Sequence, residues 1–287
     1  MTLPPRSVVV GIDGSKAAVG AAQWAIGEAE TREVPLRLIY ARGQVSRVDS
    51  PTDAPADMGD PHAAAESALR HAAAVIEAAN RPVKVETEIA PGAPVGALLR
   101  ASAWAAMVCV GAVGRRHFCA GRTGSTSAAL AVSAHCPVAI IRDTPPRPPA
   151  RDIVVELDGA PDNGLLLGAA MEEALLRRAP VRAVICRHTA AGHTADGDGA
   201  VCGVARALAA LDRRLARWQR QYPQLQVQSV AAPGTLIDYL ACCGRQVQLA
   251  VVGSHDPAHV SELVGGVGNA ALRGADCSLL IVNRRHL

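Results

Sequence analysis

Residues 111–125 read GAVGRRHFCAGRTGS, directly after the apolar run MVCV at 107–110. The glycine spacing is that of an anion site. Phosphate is held by backbone N–H groups that converge with no side chains between them. Glycine permits that approach, and a following helix adds its free N–H groups and positive dipole end. Gly111 ends a strand, Gly114 opens a loop, and Gly124 and Ser125 lead into a helix starting near Thr126. Ser125 and Thr126 supply hydroxyls, and Arg115, Arg116 and Arg122 supply positive charge. Met alone, the stretch also reads as an ordinary small-residue loop, because short glycine patterns arise by chance. It is not a P-loop, since the tripeptide Gly-Lys-Ser/Thr occurs nowhere in the chain. His117 is its only side chain that titrates near neutrality, and a lone loop histidine is ordinarily exposed. No catalytic residue and no protein metal ligand is assigned.

The chain carries a second copy of these landmarks. SVVVGIDGS (7–15) is answered by DIVVELDGA (152–160), and PLRLIYARG (35–43) by PVRAVICRH (180–188). APGAPVGALL (90–99) matches APGTLIDYL (232–240), MVCVGAVG (107–114) matches AVVGSHD (250–256), and HCPVAIIR (135–142) matches DCSLLIVN (276–283). Five landmarks in the same order mean two homologous domains. The expected division is a first domain over 1–143, a Pro-rich linker at 144–151 and a second domain over 152–287.

Within each copy, short apolar runs alternate with helical patterns. Ala65, Ala68, Leu69, Ala72, Val75, Ile76 and Ala79 share one helical face. Val204, Ala207, Leu208, Leu211, Leu215 and Trp218 do the same in the second copy. Strands such as VVVGI and VAIIR are apolar throughout, as when both sheet faces are covered. The fold class is α/β, two tandem doubly wound domains, each on a five-stranded parallel sheet. In such a sheet the ligand crevice lies beyond the carboxyl ends of the strands at the topological switch, which puts Asp13 beside Gly111. A carboxylate there accepts hydrogen bonds from a base amine or a ribose hydroxyl. Two polar inserts, 44–61 and 189–200, are expected as mobile loops.

Composition narrows the function. Of 287 residues 49% are hydrophobic but 2% aromatic, so the core is built from Ala, Val, Leu and Ile. Seven aromatic side chains and a formal charge of +3 make nucleic-acid binding a poor prospect. The N-terminus lacks the pattern of a secretory signal, and no apolar stretch has the length of a membrane span. The eight cysteines form no C-x-x-C and several sit in apolar runs, as small buried hydrophobes of a cytoplasmic protein.

GIDGS at 11–15, the glycine spacing of 111–125, WAIGEA at 24–29, CPVAIIR at 136–142 and the tandem arrangement resemble the universal stress protein family. The first copy looks like its ATP-binding branch. The resemblance spans nearly the whole chain and implies a Rossmann-like fold that binds ATP with Mg2+. It places Asp13 on the adenine with the backbone of Gly11 and Ile12 nearby, Ala41 as a small apolar neighbour, and Val110 and Gly111 along the ribose. Gly114, Arg115, Gly124, Ser125 and Thr126 would hold the triphosphate. Ala106 departs from the Asp that the family often has before the fourth strand, outside the pocket.

The implied role is a nucleotide-responsive regulator in stress or growth arrest, with a regulatory protein partner and a homodimer. VAIIR (138–142) and LLIVN (279–283) are expected to pair with each other within one chain, as a pseudo-two-fold pair. The alternatives are a slow ATPase, a nucleotide-transferring enzyme of the same superfamily, or a scaffold that binds nothing. Against the transferase stands GIDGSKAA, which fits neither the HIGH-like nor the SGGxDS-like signature at the first strand.

The second copy departs where phosphate would sit. Gly253 survives, Asp256 replaces the second glycine, and Gly266 stands where the hydroxyl belongs. A carboxylate about 4 Å from one phosphate charge costs about 1 kcal/mol in water and about 4 kcal/mol in a partly screened site. Weak or absent ATP binding is expected there, although Asp158 matches Asp13. Gly266-Val-Gly268-Asn-Ala-Ala271 fits a dinucleotide pattern without its βαβ context. His255, Asp256 and His259 read as a solvated loop, Cys242 and Cys243 as a buried helix face, and Trp24 and Trp218 as core.

Overall fold

The computed structural model describes residues 6–43, 60–114, 123–142, 151–158, 163–187 and 197–283. Arg115, Arg116, His117 and Arg122, almost all of the linker and most of both polar inserts lie outside the described residues. The chain divides into two compact units, one built on β1–β5 and one on β6–β10.

In the first unit the strands are β1 (Val8–Ile12), β2 (Leu36–Arg42), β3 (Val85–Pro91), β4 (Met107–Gly111) and β5 (Val138–Ile141). They run parallel in the order β3-β2-β1-β4-β5. The chain winds outward from β1 to β3, then returns to β4 on β1's other side. That reversal leaves a crevice between the carboxyl ends of β1 and β4. Helices α1 (Lys16–Thr31) and α2 (Pro61–Ala78) cover one face, and α3 (Pro94–Ser102) and α4 (Ser125–Ser133) the other. Two-sided cover explains the continuously apolar strands: Val8, Val10, Leu36, Leu38 and Val108 are wholly buried.

The second unit repeats this plan with β6 (Asp152–Glu156), β7 (Val181–Arg187), β8 (Val227–Pro233), β9 (Val247–Gly253) and β10 (Ser278–Val282). Their order is β10-β9-β6-β7-β8, again parallel. Helices α5 (Asn163–Arg177), α6 (Gly197–Gln221) and α7 (Leu236–Cys243) follow the first three strands in turn. Trp218 of α6 lies against Gly168 of α5, where a Cβ would come 3.3 Å from the indole. Each unit pairs a buried glutamate with an arginine four residues on, Glu28 with Arg32 at the C-cap of α1 and Glu173 with Arg177 in α5.

Three expectations are corrected. Between β9 and β10 the second unit has two helices, α8 (Pro257–Val264) and α9 (Gly266–Ala275), so 257–264 is not a loop. Asp256 caps α8, its Oδ1 accepting the N–H groups of Ala258 and His259 at 2.9 and 3.1 Å, and Pro257 suits the first helical position. The insert 189–200 ends in α6, which begins at Gly197. Cys242 is exposed and Cys243 half-buried, so they do not form a buried face.

Candidate functional site

The first unit's crevice is shaped by side chains that are missing. Gly11 belongs to the β1 face that meets α3, where Leu98 and Val110 close in; a Cβ would lie 2.9 Å from Leu98 Cδ1. At Gly111 a Cβ would lie 2.7 Å from the carbonyl carbon of Ala17, so glycine lets the start of α1 rest on the end of β4. At Gly114 it would lie 2.8 Å from Asp13 Oδ2. Of the three, Gly114 clears the space in front of the aspartate, while Gly11 and Gly111 admit Leu98 of α3 and the start of α1.

Asp13 is held in place by the turn after β1. Its Oδ1 accepts the Ser15 N–H at 2.9 Å, across Gly14 at φ +78°. Ser15 then caps α1, its Oγ accepting the Ala18 N–H at 3.1 Å. The loop after β4 leaves and returns at one point. Ala112 N–H donates to the Ile141 carbonyl at 2.9 Å, and Gly124 N–H donates to the Ala112 carbonyl at 3.0 Å. Ser127 Oγ donates to the Gly111 carbonyl at 2.8 Å, tying the first turn of α4 to the end of β4. Gly124 has no side chain with which to cap α4, and the helix begins at Ser125 and Thr126.

Strand register completes the set. Ile12 lies across from Tyr40, which puts Ala41 level with the Asp13 turn at the end of β2. Gly11, Ile12, Asp13, Ala41, Val110, Gly111, Gly114, Gly124, Ser125 and Thr126 therefore gather around the carboxyl ends of β1, β2 and β4. One contributor was not singled out from sequence: Ser127, marked only by its place one helical residue past Thr126. Lys16 and His71, with Gly14, Ser15 and Val19, line a separate cavity of about 220 Å³ beside the turn.

At the same address the second unit carries larger and charged side chains. Glu156 occupies the position of Gly11, Cys186 that of Ala41, and Asp256 that of Gly114. His259 Nε2 meets Glu156 Oε2 at 2.6 Å, and His255 Nε2 meets Asp158 Oδ2 at 2.6 Å. The hydrogen bond to Glu156 raises the His259 pKa above its ordinary value despite partial burial. Burial, with the Glu156 carboxylate second, pushes the Cys186 thiol up to about 12, so it is no nucleophile near neutrality. The N–H of His259 is the chief reason the Asp256 carboxyl titrates below its usual range. His255 and Asp256 are exposed residues of the turn before α8, as expected of a solvated loop; His259 departs from that expectation, standing on the first turn of α8 with its ring on Glu156.

Gly268, the second glycine of the dinucleotide pattern, serves helix packing: a Cβ there would lie 2.4 Å from the Leu263 carbonyl oxygen. Among the described residues no group of three His, Cys, Asp or Glu side chains is placed to hold a metal ion. None of the described helices is long and apolar enough to cross a membrane.

Fold and crevice define a tandem α/β module of Rossmann-like winding, with a glycine-lined cradle at the switch point of one unit. The chain belongs to the universal stress protein family. The signature described as "Universal stress protein family" matches residues 5–142, the unit with the open crevice. The chain is 52% identical over 287 residues to universal stress protein Rv2028c of Mycobacterium tuberculosis, covering 99% of this chain and 98% of the relative. It is 43% identical over 263 residues to universal stress protein Rv3134c of the same organism, covering 91% and 92%. Among solved structures, a universal stress protein from Archaeoglobus fulgidus superposes with a TM-score of 0.70 at 15% identity, covering 97% of this chain and 96% of that one. At that identity the likeness concerns the fold.

Proposed function

We propose that the first unit binds ATP with Mg2+ and that the protein is a nucleotide-responsive regulator, not a turnover enzyme. The observation that carries this reading is internal to the chain. At one topological address the first unit has Gly11, Ala41 and Gly114, and the second has Glu156, Cys186 and Asp256. In this reading Asp13 accepts from the base or ribose, with Gly11, Ile12 and Ala41 around the ring and Val110 and Gly111 along the sugar. Gly114, Gly124, Ser125 and Thr126 cradle the phosphates, with Arg115 adding charge.

The residues suit a magnesium nucleotide. A Cβ at Gly114 would fill the cradle, and Mg2+ keeps several waters and takes phosphate oxygens with little help from protein ligands. The cation when bound supplies charge neutralisation of the phosphates. The second unit, whose crevice holds its own ion pairs, binds no nucleotide. The reading extends to a cytoplasmic homodimer that meets a regulatory protein partner and neither nucleic acid nor membrane.

The test is a calorimetric titration with Mg-ATP. One site per chain is expected, lost in Gly114→Asp and retained in Asp256→Asn. Binding unchanged by Gly114→Asp overturns the assignment.

A further inference from the structure

The units also differ beneath α3, and there the second unit shows what the first lacks. In the second unit Arg182 is enclosed by three side chains. Its Nε lies 2.6 Å from Asp152 Oδ2, its Nη2 donates to Gln246 Oε1 at 3.0 Å, and its Nη1 lies 3.5 Å from the Tyr239 hydroxyl. Tyr239 is 7% exposed, its ring filling the space between α7 and the sheet.

The equivalences follow from register. Arg37 and Arg182 are each the second residue of their strand, paired with Glu86 and Gln228 respectively. Gly92 and Gly234 both turn with positive φ before α3 and α7, so Ala97 falls where Tyr239 does. Counting on, Trp104 falls at Gln246 and Ser7 at Asp152. All three neighbours of the second unit's arginine are exchanged in the first.

The exchange leaves a cleft of about 300 Å³, walled by Ser7, Arg37, Glu88, Ala97, Arg100 and Trp104. An apolar cavity of about 150 Å³ already admits benzene, so a single ring fits with room to spare. Arg37 pairs with Glu88, and Arg100 donates to the Pro91 carbonyl at 3.0 Å, so two guanidinium groups face one carboxylate. Trp104, 55% exposed, presents its indole at the rim. No residue of the nucleotide cradle lines this cleft.

We propose that the cleft is a second binding site, specific for a small phenolic compound that takes the place Tyr239 fills in the other unit. The ring lies on Ala97 and against the Trp104 indole. The hydroxyl accepts from the Arg37 guanidinium and meets the Ser7 hydroxyl. The slight excess of positive charge favours phenols that also carry a carboxylate, which Arg100 at the mouth receives.

The test uses p-cresol, the tyrosine side chain as a free molecule, titrated calorimetrically into the full-length protein. One equivalent per chain is expected, with 4-hydroxybenzoate binding more tightly. Ala97→Tyr refills the cleft from within and abolishes binding. Trp104→Gln, an exposed position that leaves the fold intact, weakens it about threefold to tenfold through loss of ring stacking. The absence of saturable p-cresol binding overturns the proposal. So does binding that a folded Ala97→Tyr chain retains, or that Trp104→Gln leaves unchanged.

Discussion

The two units share a winding order and, on the helix after their first strand, a buried glutamate paired with an arginine four residues on, yet the crevice is open in one and carries larger and charged side chains in the other. Position 11 is glycine and its counterpart, 156, is glutamate; the residue after the fourth strand's loop begins is Gly114 in one and Asp256 in the other. In the first unit backbone groups surround a space. In the second, Glu156 and Asp158 each pair with a histidine, His259 on α8 and His255 just before it. The same strand order forms with either content, so the crevice residues do not set the winding. In the proposed reading, binding at this address follows from what is left out.

Transplanting the second unit's content should have the largest effect. Gly114→Asp, the exchange seen at Asp256, places a carboxylate in front of Asp13 where the phosphates would lie. A charge about 4 Å from a phosphate in a partly screened site costs about 4 kcal/mol, so affinity for Mg-ATP falls at least about a hundredfold. Retained affinity in a folded variant would break the comparison.

A smaller effect, on stability alone, separates packing glycines from idle ones in the second unit. Gly268→Ala drives a methyl into the Leu263 carbonyl and is expected to destabilise by about 1–3 kcal/mol. Gly274→Ala, in the same helix with nothing within 4 Å, should stabilise by about 0.4–1 kcal/mol. Urea unfolding of the two variants gives the contrast directly; equal shifts would mean that α8 and α9 do not make the close approach described.

The smallest expected effect concerns pH. The folded pKa of His259 is raised by Glu156, so the folded state holds the proton more tightly than the unfolded chain. That stabilisation is fully present below the unfolded value of about 6.5 and is lost as pH rises through the folded value. Urea midpoints should therefore decline for the second unit as pH climbs above about 6.5, and His259→Gln should flatten that slope. A slope unchanged by the substitution would remove the His259–Glu156 pair from the account.

Much of this was readable in the residues because the chain contains its own control. Two matched sets of apolar runs gave ten parallel strands, and the glycine spacing located the crevice end of β1 and β4. Helix α8 is the element the sequence reading lacks, although Asp256 followed by Pro257 is a helix-start signal, because the polar residues around Pro257 also suit a solvated loop. The Cys242–Cys243 reading failed on geometry, since successive helix residues are about 100° apart and do not share a buried face. Glu156 at the place of Gly11 was visible in the aligned repeats. Its meaning was not, because the pairing with His259 joins residues 103 positions apart that only the sheet brings together. The cleft under α3 was equally hidden: Ala97 and Tyr239 look unremarkable until both are placed on equivalent helices.

Native mass spectrometry of the full-length protein in saturating Mg-ATP tests the asymmetry most directly, by counting nucleotides on each chain. The account expects one ATP per chain; two per chain, or none, would contradict it.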